Sequence, residues 1–113
     1  MHGIDGGGKL LTMHIFIHTI NYMHFTCNAI KNEINVRDRQ LPLLASRPMF
    51  SDTMLVREDL RQAYPERRFV GYNMLAGRWM VVVFCKPAPD HVHVISFRKA
   101  NTREQKKLET QSL

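Results

Sequence analysis

Residues 67–85, RRFVGYNMLAGRWMVVVFC, decide the fold because they contain two extended segments joined by a short turn. The segments RRFVGYNM and RWMVVVFC are rich in aromatic and β-branched residues, which favour strands. Leu75, Ala76 and Gly77 predict a compact hairpin turn between them. The run Met80–Phe84 is continuously apolar, which is typical of a central strand covered on both faces. The stretch therefore predicts the middle of an antiparallel sheet.

Further extended segments flank this hairpin. TMLVR, residues 53–57, precedes it, and HVHVISFR, residues 91–98, follows it after KPAPD, residues 86–90, whose two prolines predict a loop. Side chains alternate between the two faces of a strand, so the last segment divides into two sets. One set is His91, His93, Ile95 and Phe97, and the other is Val92, Val94, Ser96 and Arg98. Together these segments predict an antiparallel sheet of about four strands.

Two helical patterns come before the sheet. Asn28 is a suitable N-cap for a helix over residues 29–39, which follows a short strand with the sequence MHFT. LPLLASRPMF, residues 41–50, predicts a second helix. Pro48 should kink or shorten this helix, because its ring clashes with the preceding turn and it has no amide donor.

A third helical pattern follows the sheet. Asn101 precedes Glu104 by three residues, which resembles a capping box and predicts a short helix through about Leu108. The order of a strand, two helices, a meander of strands and a terminal helix is typical of the α+β class. We expect a compact domain in which the two early helices pack on one face of the sheet.

The first 22 residues differ from the rest of the chain. A glycine run leads into LLTMHIFIHTI, an apolar segment interrupted by His14 and His18, which is too short and too polar to span a bilayer. It also lacks the basic start and the cleavage pattern of a secretory signal. We expect residues 1–22 to be an added strand or a loosely held leader, and residues 23–113 to form one functional domain.

The composition indicates a basic protein of the cytoplasm. Sixteen Lys and Arg residues outnumber ten Asp and Glu residues, and the formal net charge of +6 attracts polyanions if it gathers on one surface. Cys27 and Cys85 form no C-x-x-C motif and indicate neither a zinc site nor a disulfide framework. Nucleic acid or an acidic protein is the expected partner, and neither a metal nor another cofactor is predicted.

Basic side chains recur on the elements that the sheet brings together. Guanidinium groups suit phosphates because their planar donors bind two oxygens at once and stay charged. Arg98 and Lys99 end the last strand, and the alternative interpretation of this pair is a solvated strand end. The remaining candidates are Arg67, Arg68 and Arg78 on the hairpin, and Lys31 and Arg37 on the first helix.

A site of this kind could bind RNA only, or cleave it. Internal cleavage requires that a 2′-hydroxyl lose a proton, that the phosphorane be stabilised and that the leaving oxygen be stabilised. Lysine and arginine can supply the second need, and His93 could help with the first or the third. The alternative is that His91 and His93 are half-exposed strand residues without a catalytic role. Their H-x-H spacing also occurs in metal sites, but no third ligand is close in the sequence.

From Met23 to about Glu109 the chain resembles the BrnT toxins, the ribonuclease-like half of bacterial BrnT/BrnA toxin–antitoxin pairs. The most specific part is the closing ISFRKANTRE, which is similar to the family ending Ile-Ser-x-Arg-x-Ala-x-x-x-Glu. The matching residues are Ile95, Ser96, Arg98, Ala100 and Glu104.

Two earlier segments carry the same resemblance. ERRFVGYNMLAGRWMVVVF is similar to the family hairpin at Arg68 and Gly71, and the first helix keeps Lys31 and Asn35. The chain departs from the family pattern at Cys27, Asn28, Arg37, Asp38 and Arg39, and it has Pro48 in the second helix.

The resemblance implies a compact fold akin to RelE-type toxins and metal-independent cleavage of RNA that halts translation. It also implies neutralisation by a BrnA-like ribbon-helix-helix antitoxin and, through that antitoxin, binding to operator DNA. By the same resemblance, the catalytic candidates are Lys31, Arg68, Arg98 and His93. The RNA-binding candidates are Arg37, Arg67, Arg78 and Lys99.

Two other functions stay open. The chain could be a non-catalytic basic adaptor that binds an antitoxin-like partner and, through it, operator DNA. Such an adaptor would leave RNA intact while binding the neighbouring gene product. The chain could instead be a metal-bound hydrolase that uses His91 and His93, and chelators would then abolish its activity.

Overall fold

The predicted hairpin forms the middle of a six-stranded mixed sheet in the computed structural model, which describes residues 11–12 and 23–110. The strands are β1 (Leu11–Thr12), β2 (His24–Cys27), β3 (Leu55–Glu58), β4 (Phe69–Leu75), β5 (Arg78–Ala88) and β6 (His91–Lys99). Their order across the sheet is β1-β3-β4-β5-β6-β2. The β2–β6 pair is parallel and the other pairs are antiparallel. The prediction of a four-stranded antiparallel sheet was therefore wrong, because the partner and direction of short edge strands depend on distant residues.

The turn between β4 and β5 forms as predicted. Its central residues, Ala76 and Gly77, have φ values of 52° and 77°. Two successive positive φ values give a turn whose twist matches that of antiparallel strands. Gly77 adopts this conformation without a steric penalty because it has no Cβ atom. The hairpin is thereby held in register from Phe69 opposite Phe84 to Leu75 opposite Arg78.

In the part of the chain that the structure describes, three helical segments accompany the sheet. They are α1 (Ala29–Arg39), a 3-10 helix (Leu43–Met49) and α2 (Thr102–Thr110). The α1 cap is as predicted, because Asn28 Oδ1 accepts a hydrogen bond from the Lys31 amide at 3.0 Å. Asn101 and Glu104 form a reciprocal capping box with bonds of 2.9 and 2.8 Å at the start of α2. The α+β class is confirmed.

The segment expected to form a second α-helix over residues 41–50 is a 3-10 helix instead. Pro48 lies inside it. Proline lacks the amide hydrogen that an α-helix needs, and its ring clashes with the preceding turn, so the short 3-10 form is favoured. The segment still packs against the sheet, because Leu43, Ser46 and Met49 are buried.

Apolar side chains form separate cores on the two faces of the sheet. The larger core includes the 3-10 helix and is built around Leu43, Met49, Phe50, Met54, Val82, Phe84 and Phe97. The smaller core consists of Val70, Tyr72, Val81, Ala100 and Leu108. Because Leu108 of α2 is fully buried in the smaller core, α2 covers the face opposite to the 3-10 helix.

A β-bulge interrupts β6. Ser96 is opposite Val83, but Val94 is opposite Phe84, so Ile95 is an extra residue in this strand. One extra residue reverses the side-chain alternation of everything that follows it. The residues before and after Ile95 therefore do not follow one simple period of two.

The bulge decides which side chains share a face. Phe97 packs in the larger core together with Val92 and Val94. His93 and Arg98 consequently lie on the same, opposite face of β6. The prediction that placed them in opposite sets was wrong, because it counted the alternation without the extra residue.

Strand β5 continues through residues 86–88, which were predicted to be a loop. Its pairing with β4 ends where Phe84 is opposite Phe69, and beyond that point β6 is its sheet neighbour among the described strands. Proline has no amide hydrogen, and it is tolerated in a strand where that side of the backbone faces no neighbouring strand. The register also shifts between Cys85 and Ala88. Because the strand includes residues 86–88, the turn before β6 consists of Pro89 and Asp90.

Part of the amino-terminal segment contributes to the sheet. Leu11 is opposite Val56 and Thr12 is opposite Leu55, so β1 adds an edge strand beside β3. Residues 1–10, 13–22 and 111–113 lie outside the described residues. The boundary at residue 23 accordingly stays a prediction. Among the helices of the described residues, none is long and apolar enough to cross a membrane.

Candidate nucleic-acid interface

Two cavities adjoin where the end of α1 approaches the start of β5 and the end of β6. The first, which we call the cationic cavity, has a volume of about 380 Å³ and is lined by Arg39, Leu41, Arg98, Lys99 and Asn101. The second, the apolar cavity, has a volume of about 310 Å³ and is lined by Leu41, Ala45, Leu75, Ala76, Arg78, Met80, Phe97 and Lys99. Both are lined by Leu41 and Lys99, and we call the two adjoining cavities together the groove.

The groove carries positive charge. Among the described residues, those that line it include four cations, Arg39, Arg78, Arg98 and Lys99, and no carboxylate. Arg78 and Lys99 are exposed. Their strands hold them at one end of the sheet, because Lys99 is opposite Met80, two residues after Arg78. A surface of this kind can bind two or more phosphates of a nucleic acid.

Asn35 connects the groove to the core. This buried amide donates to the carbonyl oxygens of Leu41 at 2.7 Å and Phe97 at 2.9 Å. Its Oδ1 accepts a hydrogen bond from Arg39 at 2.9 Å. One side chain therefore joins α1 to β6 and fixes the cation at the end of α1.

Arg98 is engaged within the protein. Its two terminal nitrogens donate to the two carboxylate oxygens of Glu104 at 2.7 and 2.9 Å. The hydrogen bonds from Arg98 lower the pKa of Glu104, and Glu104 in turn raises the pKa of Arg98. Because Glu104 also accepts the Asn101 amide, the pair links the end of β6 to the first turn of α2.

A second polar cluster lies at the start of β6, where it runs beside β2. The Thr26 hydroxyl forms hydrogen bonds of 2.7 Å with His91 Nε2 and 2.8 Å with His93 Nδ1. The His24 ring stacks on His91 with 4.3 Å between centroids. A hydroxyl has one proton to donate, so at least one of the two bonded rings must donate to it.

Acidification should reduce stability through this histidine cluster. The pKa of His91 lies below its ordinary value of 6.5, first because of desolvation and then because of His24 and His93, while Asp90 acts in the opposite direction. The unfolded chain therefore binds the proton more readily than the folded chain. The stabilisation is complete above the unfolded pKa and is lost as the pH falls through the folded pKa.

Thermal unfolding between pH 7.5 and pH 5.5 tests this expectation, since most carboxylates stay ionised there. The melting temperature should fall on acidification, and His91→Gln should make that fall shallower. An equally steep fall in the variant would show that His91 does not cause it.

A comparison with protein-family models gives one decisive observation. The model described as "Ribonuclease toxin, BrnT, of type II toxin-antitoxin system" matches residues 28–104. The chain belongs to the BrnT family. A comparison with curated proteins found no match.

The BrnT match covers the groove and the elements that build it. It includes all four groove cations, Asn35 and the closing motif with Arg98 and Glu104. It also includes Gly71, where a Cβ atom would lie 2.8 Å from Met54 Sδ and 3.1 Å from Val82 Cγ1. A glycine at this hairpin position therefore allows the strand to pack closely on the larger core.

The two candidates on α1 do not line the groove. Lys31 lies in the first turn of α1 and is exposed. Arg37 pairs with its neighbour Asp38 at 2.9 Å, and both side chains are largely exposed. Arg37 and Arg39 lie on different faces of α1, because helical residues two positions apart do not face each other.

Arg67 and Arg68 also lie away from the groove. Arg67 pairs with Glu58 at 2.8 Å, and Arg68 pairs with Glu66 at 2.7 Å. Both arginines line a separate cavity of about 300 Å³, formed largely by residues 58–68. Arg68 also stacks on Tyr64, with its guanidinium carbon 4.2 Å from the ring centroid. Of the predicted residues, the structure brings together Arg78, Arg98 and Lys99, but not Arg67 or Arg68.

Sequence reasoning missed three polar residues of these two clusters. Arg39 is four residues after Asn35, and that helical spacing was a signal that the two side chains meet. His24 and Thr26 became neighbours of His91 and His93 only because β2 pairs with β6, which no local pattern predicts. Among the described residues, no group of three His, Cys, Asp or Glu side chains is arranged to hold a metal ion.

Replacing Arg98 with alanine should lower the free energy of unfolding by about 1–2 kcal/mol, because it leaves the half-buried Glu104 without its partner. Glu104→Gln breaks the same ion pair and keeps a side chain that can cap α2. If Arg98 also binds phosphate, Arg98→Ala should weaken RNA binding, whereas Glu104→Gln should preserve or strengthen it. Equal losses in both variants would show that the ion pair only supports the fold. Denaturant unfolding and RNA titration measure the two effects.

Proposed function

We propose that this BrnT protein is an endoribonuclease that binds the phosphodiester backbone of mRNA in its groove, cleaves it and stops translation. The observation that carries the proposal is that Arg39, Arg78, Arg98 and Lys99 line a groove whose lining, over residues 23–110, includes no carboxylate. These four residues come from three separate elements, so their meeting is a property of the fold. The description of the matched family, a ribonuclease toxin, supports the same reading.

The proposed reaction uses only the chain, RNA and water. The 2′-oxygen gives its proton to water and bonds to phosphorus, the bond from phosphorus to the 5′-oxygen breaks, and the 5′-oxygen takes up a proton from water. The groove cations stabilise the extra negative charge of the phosphorane, which is the largest contribution that such a site can make. We infer that cleavage takes place in the groove, with Arg98 and Lys99 as the first candidates to contact the phosphate.

The first experiment combines the purified full-length chain with a single-stranded RNA in the presence of a chelator. Cleavage should occur and should leave a cyclic phosphate or its hydrolysis product on the upstream fragment. Induction of the same chain in bacteria should reduce amino-acid incorporation before growth stops. Intact RNA with folded protein would reject the catalytic proposal.

We also propose that the chain acts in the cytoplasm together with a ribbon-helix-helix antitoxin and, through it, contacts operator DNA. The support is the family description, which names a type II toxin–antitoxin system. Co-expression with the product of the adjacent gene should restore growth, and the two proteins should purify together. A neighbouring product of another fold would reject the ribbon-helix-helix part alone.

A non-catalytic adaptor is the second candidate, and specific contacts favour it. Arg98 is occupied by Glu104, and Arg68 is occupied by Glu66 and Tyr64. The His93 cluster lies at the opposite end of β6 from Lys99. In the adaptor reading the groove binds nucleic acid or an acidic partner without reacting. RNA binding without any cleavage, in a protein that binds its antitoxin, would favour this function.

A further inference from the structure

The apolar cavity differs in chemistry from the cationic cavity beside it. Its lining includes Met80 and Phe97, which are buried, together with Leu41 and Leu75. Leu41 and Leu75 also pack against the larger core. Arg78 and Lys99 supply its polar atoms at the surface. A concave apolar surface rimmed by cations suits a ligand with an apolar face and a negative charge.

An RNA nucleotide outside a helix has these two properties. Its base presents apolar faces that pack on protein side chains, and its phosphate carries the charge. The volume of about 310 Å³ lies at the lower end of the range for small-ligand sites. Because both cavities include Leu41 and Lys99, a base in one and a phosphate in the other would belong to neighbouring parts of one strand.

We propose that the apolar cavity binds one unpaired base of the RNA while the cationic cavity binds an adjoining phosphate. The inference rests on the proposed RNA-binding function and adds that the substrate is single-stranded. A base inside a duplex is stacked and paired, so it cannot enter the cavity. The aliphatic walls offer few hydrogen-bond partners for base edges. The preference of the cavity among the four bases should therefore depend on base size more than on the hydrogen-bonding groups of the base.

Ala45 provides a direct test because it is an exposed residue of the 3-10 helix and lines the cavity. Ala45→Leu should fill part of the cavity without disturbing the core. Ala63→Leu is the matched control, since Ala63 is also exposed but lies by the separate cavity of residues 58–68. Melting temperatures of both variants should equal that of the parent chain.

Binding is measured by anisotropy with a short 2′-O-methyl RNA, which cannot undergo internal cleavage. The parent chain should bind the single strand at least 10-fold more tightly than its duplex. An oligonucleotide that has an abasic sugar at the position bound in the cavity should bind about 10-fold more weakly, since packing of one base contributes on this order. Ala45→Leu should cause a similar loss, and the base removal should then cause no further loss. Ala63→Leu should bind as the parent does.

Two outcomes would overturn the proposal. One is equal affinity of the parent chain for oligonucleotides with and without the base at every position. The other is that Ala45→Leu binds RNA as tightly as the parent chain does. This outcome counts against the proposal even if the same variant no longer binds the antitoxin. Neither outcome would reject RNA binding itself, which the Arg78→Gln, Lys99→Gln double variant tests separately. If that double variant binds RNA as the parent does, the RNA function of the groove fails as well.

Discussion

Replacing Arg78 and Lys99 together with glutamine should weaken binding of single-stranded RNA by roughly 10–100-fold at low salt. Both cations are exposed and line the groove. Glutamine keeps a polar, hydrogen-bonding end on a shorter side chain and removes the positive charge. Because neither residue is part of the core, the free energy of unfolding should change by less than about 0.5 kcal/mol. The same double variant should no longer arrest growth when it is induced in bacteria.

The salt dependence makes the expectation specific. Each phosphate contact on a single strand contributes about 0.7 to the slope of log affinity against log salt, so loss of two contacts should reduce the slope by about 1.4. Arg103→Gln with Lys106→Gln is the matched control, because it removes two exposed cations of α2 that do not line the groove. An equal loss of affinity in both double variants would show that net charge alone, and not the groove, binds RNA.

Replacing Asn35 with alanine should lower the free energy of unfolding by about 2–4 kcal/mol. The variant leaves the carbonyl oxygens of Leu41 and Phe97 without the donor that they have in the native chain. Each buried polar group that loses its partner costs about 1–3 kcal/mol. Arg39 also loses its acceptor, so RNA affinity should decrease even where the variant is fully folded.

Urea unfolding measures the stability change, and RNA titration well below the unfolding transition measures the effect on the groove. Val36→Ala is the control, since Val36 is an exposed neighbour on the same helix and the change removes no hydrogen bond. It should alter stability by less than about 0.5 kcal/mol. A change below about 0.5 kcal/mol for Asn35→Ala would show that solvent replaces its hydrogen bonds and that the side chain does not join α1 to β6.

The elements predicted from the sequence with the right limits were those fixed by neighbouring residues. The hairpin turn depends on Ala76 and Gly77, and the start of α1 depends on Asn28. The capping box of Asn101 and Glu104 spans one helical turn. In each case the residues that decide the structure are within a few positions of one another, so their chemistry can be read without knowledge of the fold.

The basic residues of the candidate site could be predicted from the sequence only in part. The sequence offered arginines and lysines on several elements as candidates for one cationic patch, and Arg78, Arg98 and Lys99 line the two adjoining cavities. It did not separate them from Arg67 and Arg68, which pair with glutamates beside another cavity. The choice depends on which carboxylate each cation meets in three dimensions. No local pattern contains that information.

The sequence by itself therefore determined the α+β class, the hairpin, the helix caps, the basic charge and the resemblance to the BrnT family. The tertiary structure decided the parallel pairing of β2 with β6, the change of face at Ile95 and the meeting of Arg39 with Lys99. The physical reason is the range of the interactions. Turns and caps form between near neighbours, whereas strand register, bulges and charge clusters depend on residues that only the folded core brings together.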